Sequence, residues 1–203
     1  MRKLPFVLPA LLLFEPSTAS AHVVWEGGGA FWAGFLHPLT SVDQVCFLMA
    51  LSIWLNFNEP PARLWSMGAV VTLSALAAVV SWWSKREFST LPVMTALMVV
   101  AGLGGAIRFK VHGTILVTLA SAGACLIGTE TGKAVGVLSP GSFIIGASLS
   151  TLILLVYLLG GLERLRSEWQ AVACRAIASW IAAIGIMMLT FELWQPHIQG
   201  QRP

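Results

Sequence analysis

The feature that most constrains this chain is a succession of apolar runs broken by short polar segments. The runs cover about residues 41–57, 64–83, 91–107, 111–128, 143–162 and 172–194. Each comes close to the ~20 residues an α-helix needs to cross the hydrocarbon core of a bilayer. Pro60-Pro61 punctuates the first boundary, and Trp82-Trp83 followed by Lys85-Arg86-Glu87 marks the second. Charged residues make up 10% of the chain and hydrophobic ones 57%, whereas a water-soluble domain carries about 25% charged residues. There is too little polar surface here to cover a globule, so the solvent is the lipid bilayer. The expected fold is all-α, a polytopic membrane protein built as a bundle of about six transmembrane helices. Glycines and other small residues inside the runs suit close helix packing.

The N-terminal stretch is too short to span and has the pattern of a signal peptide. Arg2 and Lys3 form a positive n-region, Phe6 to Phe14 an apolar h-region, and Glu15-Pro16 breaks it. Ala19-Ser20-Ala21 supplies small residues at a cleavage site. Residues 1–21 are thus expected to be a cleaved signal peptide, and residues 22–203 a single transmembrane helical domain. Cleavage would leave His22 outside a bacterial inner (plasma) membrane, with the C-terminus on the same side after six crossings. The cations lean the same way. Arg63, Arg108, Lys110, Arg164, Arg166 and Arg175 fall in segments expected at the cytoplasmic side, against Lys85, Arg86, Lys133 and Arg202 outside. A formal net charge of +3 spread over such loops sets topology and makes no nucleic-acid patch, so no nucleic acid partner is expected.

Cys46, Cys125 and Cys174 all lie in apolar runs. An odd number there makes no disulfide framework, and free cysteine behaves as a small buried hydrophobe. Before the first run, Gly27-Gly28-Gly29 leads into Phe31, Trp32 and Phe35, a composition suited to a short interfacial or re-entrant segment. Thr40 or Ser41 is placed to cap the helix that follows, and Thr40-x-x-Asp43 has capping-box spacing.

An ionisable group at membrane depth costs about 2.5–3.5 kcal/mol on insertion scales and is a functional candidate for that reason. Asp43, Glu130 (just past the fourth run), Arg175 and Glu192 qualify. Arg175 and Glu192 lie near helix ends, where long side chains snorkel to the interface. Asp43 has His37 upstream across Pro38, Gln44 beside it, and Cys46 about one helical turn on. Imidazole with carboxylate suits nickel, cobalt or zinc; the competing role for Asp43 is a plain helix cap. His112, at the start of the fourth run, reads as structural, and His197 as part of a polar tail. His22 at a cleaved N-terminus would pair an α-amino nitrogen with its imidazole, a chelating set for a divalent ion.

In this stretch the chain resembles the HupE/UreJ family, small membrane proteins associated with nickel supply to hydrogenase and urease. The family motif at the first span is His-Pro-x-x-Gly-x-Asp-His, and the chain reads His37-Pro38-Leu39-Thr40-Ser41-Val42-Asp43-Gln44. Phe35-Leu36 before it and Met49-Ala50-Leu51-Ser52-Ile53-Trp54 after it are also family-like. A second family motif, His-Gly-x-Ala-His-Gly-x-Glu, has its best counterpart in Gly123-Ala124-Cys125-Leu126-Ile127-Gly128-Thr129-Glu130. Ser41 replaces the motif glycine, and Gln44, Gly123 and Ile127 stand where the family has histidines. What the resemblance carries over as metal ligands is His37, Asp43 and Glu130, beside His22 at the mature N-terminus.

Two functional readings follow. In one, the chain is a divalent-metal permease for nickel or cobalt: His22 captures the ion, and His37 with Asp43 holds it at the mouth of the bundle. Cys46 and Cys125 would tilt preference toward copper(I). In the other, it is a non-transporting accessory or structural subunit packed on partner membrane subunits, as the missing histidines suggest. An enzyme is not expected, because no nucleophile–base pair, phosphate loop or haem-type histidine pair stands at a suitable depth. No resident cofactor is expected beyond a bound or transported ion.

Overall fold

The computed structural model describes residues 29–85, 89–165 and 167–199, with side chains as far as 194. The signal segment and His22 lie outside the described residues. Within them the regular structure is all helical: α1 Gly29–Thr40, α2 Val42–Asn56, α3 Pro60–Ser84, α4 Leu91–Ala106, α5 Gly113–Ala134, α6 Pro140–Glu163 and α7 Glu168–Gln199. Helices α3, α5 and α6, and Glu168–Trp194 of α7, are long and apolar enough to cross a bilayer. Helices α1 and α2 pass that test only together, bent by 63° at the break between them, and α4 is an apolar helix of 16 residues. Where the sequence suggested six similar spans, the structure has four full-length helices, one short helix and one broken pair.

The break is made locally. Pro38 sits inside α1, without an N–H to give the turn before it. Thr40 Oγ1 donates to the carbonyls of Leu36 and His37, at 3.1 Å each, and Ser41 Oγ donates to His37 O at 2.8 Å. The hydroxyls expected to cap α2 thus bond backward onto α1, as serine and threonine often do. Ser41 is extended at φ −82°, ψ 97° and makes no side-chain cap bond, so the expected capping box does not form. Asp43 takes over the first turn of α2, its carboxylate lying against its own backbone N–H and that of Gln44.

Helix α2 occupies the middle of the bundle. Phe47, Leu48, Ala50, Leu51, Ile53, Trp54 and Leu55 are all buried, and a helix apolar and buried on every face belongs to an interior. Around it, helices approach through small residues. On α3, Ala62, Ser66, Val70, Ser74 and Ala78 recur every four positions and are buried. They run along Ala120, Ala124, Gly128 and Gly132 of α5, which recur in the same way. A Cβ on Gly128 would overlap the Ser74 carbonyl, and one on Gly132 that of Ala78. Between α1 and α6, Gly34 lies on the Phe143 backbone and Gly146 on that of Phe31. Helices with backbones this close associate without any hydrophobic drive from lipid.

This packing gives the bundle two distinct ends. One gathers the C-terminus of α2, the start of α3 and the loops joining α4 to α5 and α6 to α7. There Trp54 Nε1 donates to Phe109 O at 2.7 Å, Val111 N to Asn58 Oδ1 at 3.2 Å, and Arg63 reaches Glu163 at 2.7 Å. The other end gathers the start of α2, the C-termini of α3 and α5 and the starts of α4 and α6. There Ser81 Oγ donates to Thr129 O at 2.9 Å, and Thr90 bonds Glu130.

Candidate functional site at the α1–α2 break

The ionisable groups singled out in the sequence sit mainly at the second end. Asp43 stands in the first turn of α2, and the carboxylate of Glu130 on α5 is near enough for the two charges to repel. The fourth apolar run ends at Gly128, but α5 continues to Ala134. Glu130 is therefore inside a helix, one turn from its end, and not beyond it as expected.

Glu130 is held by two groups. Thr90, 3% exposed at the start of α4, donates Oγ1 to Glu130 Oε1. Lys133, one turn further along α5, brings Nζ to 2.9 Å of the same oxygen. The carboxylate thus ties α5 to α4. Sequence reasoning missed both partners. Lys133 had a signal, since residues three apart on a helix are neighbours. Thr90 had none, because its position depends on tertiary packing.

His37 lies half-buried in the last turn of α1, its ring centroid 5.9 Å from that of Phe143. Gln44, where the family motif ends in histidine, is 2% exposed, and its Oε1 has no hydrogen-bond partner. A buried carbonyl oxygen of this kind wants a donor, a water or a cation. Cys46 is partly buried and within electrostatic reach of Asp43, whereas Cys125 is exposed on α5. Among the described residues, no three His, Cys, Asp or Glu side chains gather closely enough to hold a metal ion by themselves. The structure thus brings together Asp43 and Glu130, leaves His37 across the break on α1, and does not describe His22.

The other polar candidates serve the helices. His112 is the N-cap of α5, its ring Nδ1 accepting from Thr114 N at 3.5 Å and lying 2.9 Å from Thr114 Oγ1. Arg175 Nε donates to Ala106 O at 2.8 Å and binds α7 to the end of α4.

An all-helical bundle with spanning-length apolar helices, a bent helix pair and a carboxylate pair beside the bend defines a polytopic membrane protein with one polar site at a helix break. The chain matches the family model described as HupE / UreJ protein over residues 10–188. It belongs to the HupE/UreJ family. No curated protein and no solved structure matches it.

Proposed function

We propose that this protein is a nickel or cobalt permease-like member of its family, taking a divalent cation from the outer face at the α1–α2 break. The observation that carries this reading is that Asp43, in the first turn of α2, and Glu130, in the last turns of α5, stand at one end of the bundle. Two carboxylates at one end of a bundle, in a chain with so few charges, are costly unless a cation sits between or beside them. Lys133 supplies part of that charge in the resting arrangement. An arriving divalent ion replaces the ammonium on Glu130, draws Asp43 in, and finds further donors in His37 and the buried Gln44 carbonyl. His22, with its α-amino group free after cleavage, captures the ion first. The donor set is richer in oxygen than the family motif, and carboxylate with imidazole still suits nickel and cobalt.

Orientation follows from the cations at each end. Arg63, Arg108, Lys110, Arg164 and Arg175 stand at the end opposite Asp43, and Lys85 and Lys133 at the Asp43 end. In this reading the chain lies in a bacterial inner membrane, and the positive-inside rule favours the Asp43 end outside. With α4 and the α1–α2 pair counted as crossings, the chain passes the bilayer six times. Asp43→Asn tests the reading: the amide keeps the shape of the helix cap and loses the charge. Nickel and cobalt uptake by cells, measured by elemental analysis, should fall to background while the amount of membrane-inserted protein stays level. Uptake at wild-type rate in that variant would reduce Asp43 to a cap.

A second reading, a non-transporting accessory subunit, draws on the same carboxylate. Glu130 is already bonded by Thr90 and Lys133, an arrangement that fastens α4 to α5 without any ion. Under that reading, mild-detergent extraction recovers a partner membrane subunit in fixed ratio. A chain recovered alone speaks for the permease.

A further inference from the structure

At the end opposite Asp43, a cavity of about 480 Å³ opens between the last turn of α2, the α4–α5 loop and the start of α7. Arg108, Arg175, Phe57, Ser167 and Glu168 are among its lining residues. We propose that it is a binding site for a phosphate-bearing anion, filled in the membrane by the headgroup of an anionic phospholipid. The proposal stands on this cavity alone and is independent of the transport reading.

Three observations carry it. First, the arginines here are less fully used than Arg63. Arg63 gives its hydrogens to Leu55 O, Asn56 O and Glu163. The Arg108 guanidinium lies 4.6 Å over the Phe57 ring and makes no hydrogen bond to the described residues. Arg175 uses Nε on Ala106 O, which leaves its terminal nitrogens for a ligand. A guanidinium fork matches a phosphate with two parallel bonds. Second, Arg108 is the left-handed residue, at φ +52°, of the turn that closes α4, with Arg108 N donating to Gly105 O and Phe109 N to Gly104 O, and this cap fixes the backbone from which its guanidinium reaches the cavity. Third, Ser167 has its Oγ buried without a hydrogen-bond partner, just before the first turn of α7. The N-terminus of a long helix adds unpaired N–H groups and a positive dipole end at the same spot.

Among the described residues Glu168 is the one carboxylate lining this cavity and works against an anion; two guanidinium groups outweigh it. The location selects the source. The cavity lies where helices end, with Val172 and Trp169 exposed on the adjoining face of α7. Tryptophan favours the headgroup level, and basic pockets between membrane helices hold anionic headgroups.

The test uses the full-length chain in mild detergent, stripped of lipid, with binding followed by native mass spectrometry. The probes are phosphatidylglycerol, phosphatidylcholine and inorganic phosphate. Phosphatidylglycerol should bind at least about fivefold more tightly than phosphatidylcholine, the order expected for one interfacial cation. Arg108→Gly should weaken it about fivefold, and an added Arg175→Gln should weaken it further. Glycine suits the positive φ, so the single variant should melt no lower than wild type without lipid. Glu168→Gln should tighten binding. Competition by inorganic phosphate would show that the pocket reads the phosphate group itself; variant-sensitive binding without competition would show that it reads the whole lipid, and both support the site. Equal affinity for the two lipids, or phosphatidylglycerol affinity unchanged in the double variant, overturns it.

Discussion

The two ends of the bundle treat charge in opposite ways. At the Arg63 end, cationic and amide side chains finish helices. Arg63 donates to Leu55 O at 3.2 Å and Asn56 O at 3.0 Å, and Arg175 closes the last turn of α4. The terminal carbonyls of a helix have no partner within it, and these donors supply one. At the Asp43 end, two acidic side chains share one lysine, which pairs with Glu130, while the hydroxyls of Thr40 and Ser41 turn back onto α1. One end uses charge, that of Arg63 above all, to close structure. The other holds charge that its own helices only partly neutralise, which is the condition for exchanging it with something from outside.

That contrast depends on α5 bringing Glu130 to α2, so the largest effect should come from prising α5 off α3. Gly128→Val drives a side chain into the Ser74 backbone carbonyl, which has nowhere to go. It should cost about 3 kcal/mol or more and lose most of the monodisperse protein on size exclusion in detergent. Gly104→Val, toward the opposite end, first meets the Trp54 ring, a side chain that shifts if it gives up its bond to Phe109 O. It should cost less. If Gly104→Val proved the more damaging, the Arg63 end would be the less yielding of the two, and the ranking of the helix contacts would change.

A middle-sized effect separates structural charge from surface charge. Arg63→Gln strands two helix-terminal carbonyls as well as Glu163. It should lower stability by about 2 kcal/mol, read as a drop in melting temperature. Removing only the partner charge, Glu163→Gln, should change stability by no more than ~0.5 kcal/mol, because that carboxylate side chain is 59% exposed and screened by water. Equal losses in the two variants would mean that the ion pair, and not the carbonyl capping, holds this end together.

How far this was legible in sequence differs between the ends as well. Apolar run length is a local signal, and it places α3, α4 and α6 within a few residues of their observed limits. The interruption near Pro38 to Ser41 was visible as a proline and two hydroxyls before an apolar run. The hydroxyls' choice of α1 carbonyls over an α2 cap was not, because both are satisfactory local bonds and the 63° bend decides between them. Asp43 and Glu130 were each conspicuous as charges in lipid, yet nothing in one strand of text pairs residues on α2 and α5. The pairing comes from the four-residue repeat of small side chains that packs α5 on α3, and from α5 running a turn and a half beyond its apolar run. Arg108 carried no signal beyond its charge: its left-handed backbone and its seat over Phe57 are products of the loop that ends α4.

The smallest effect is the most informative about the Asp43 end. Lys133 is on the same helix as Glu130, with its side chain 25% exposed, so its pair with Glu130 contributes little to folding. Lys133→Gln should leave the melting temperature nearly unchanged. In the permease reading, however, Lys133 competes with the arriving ion for the same oxygen. Its removal takes away a resident positive charge and frees the carboxylate, so nickel or cobalt should bind about fivefold more tightly, the ~1 kcal/mol expected for one charge a few ångströms away in a wet site. Titration of purified protein by calorimetry measures this directly. Weaker binding in the variant would make Lys133 a support for the ligand set instead of a rival to the ion. No binding in either protein would leave Glu130 as a clasp between α4 and α5, and the accessory-subunit reading would then hold the field.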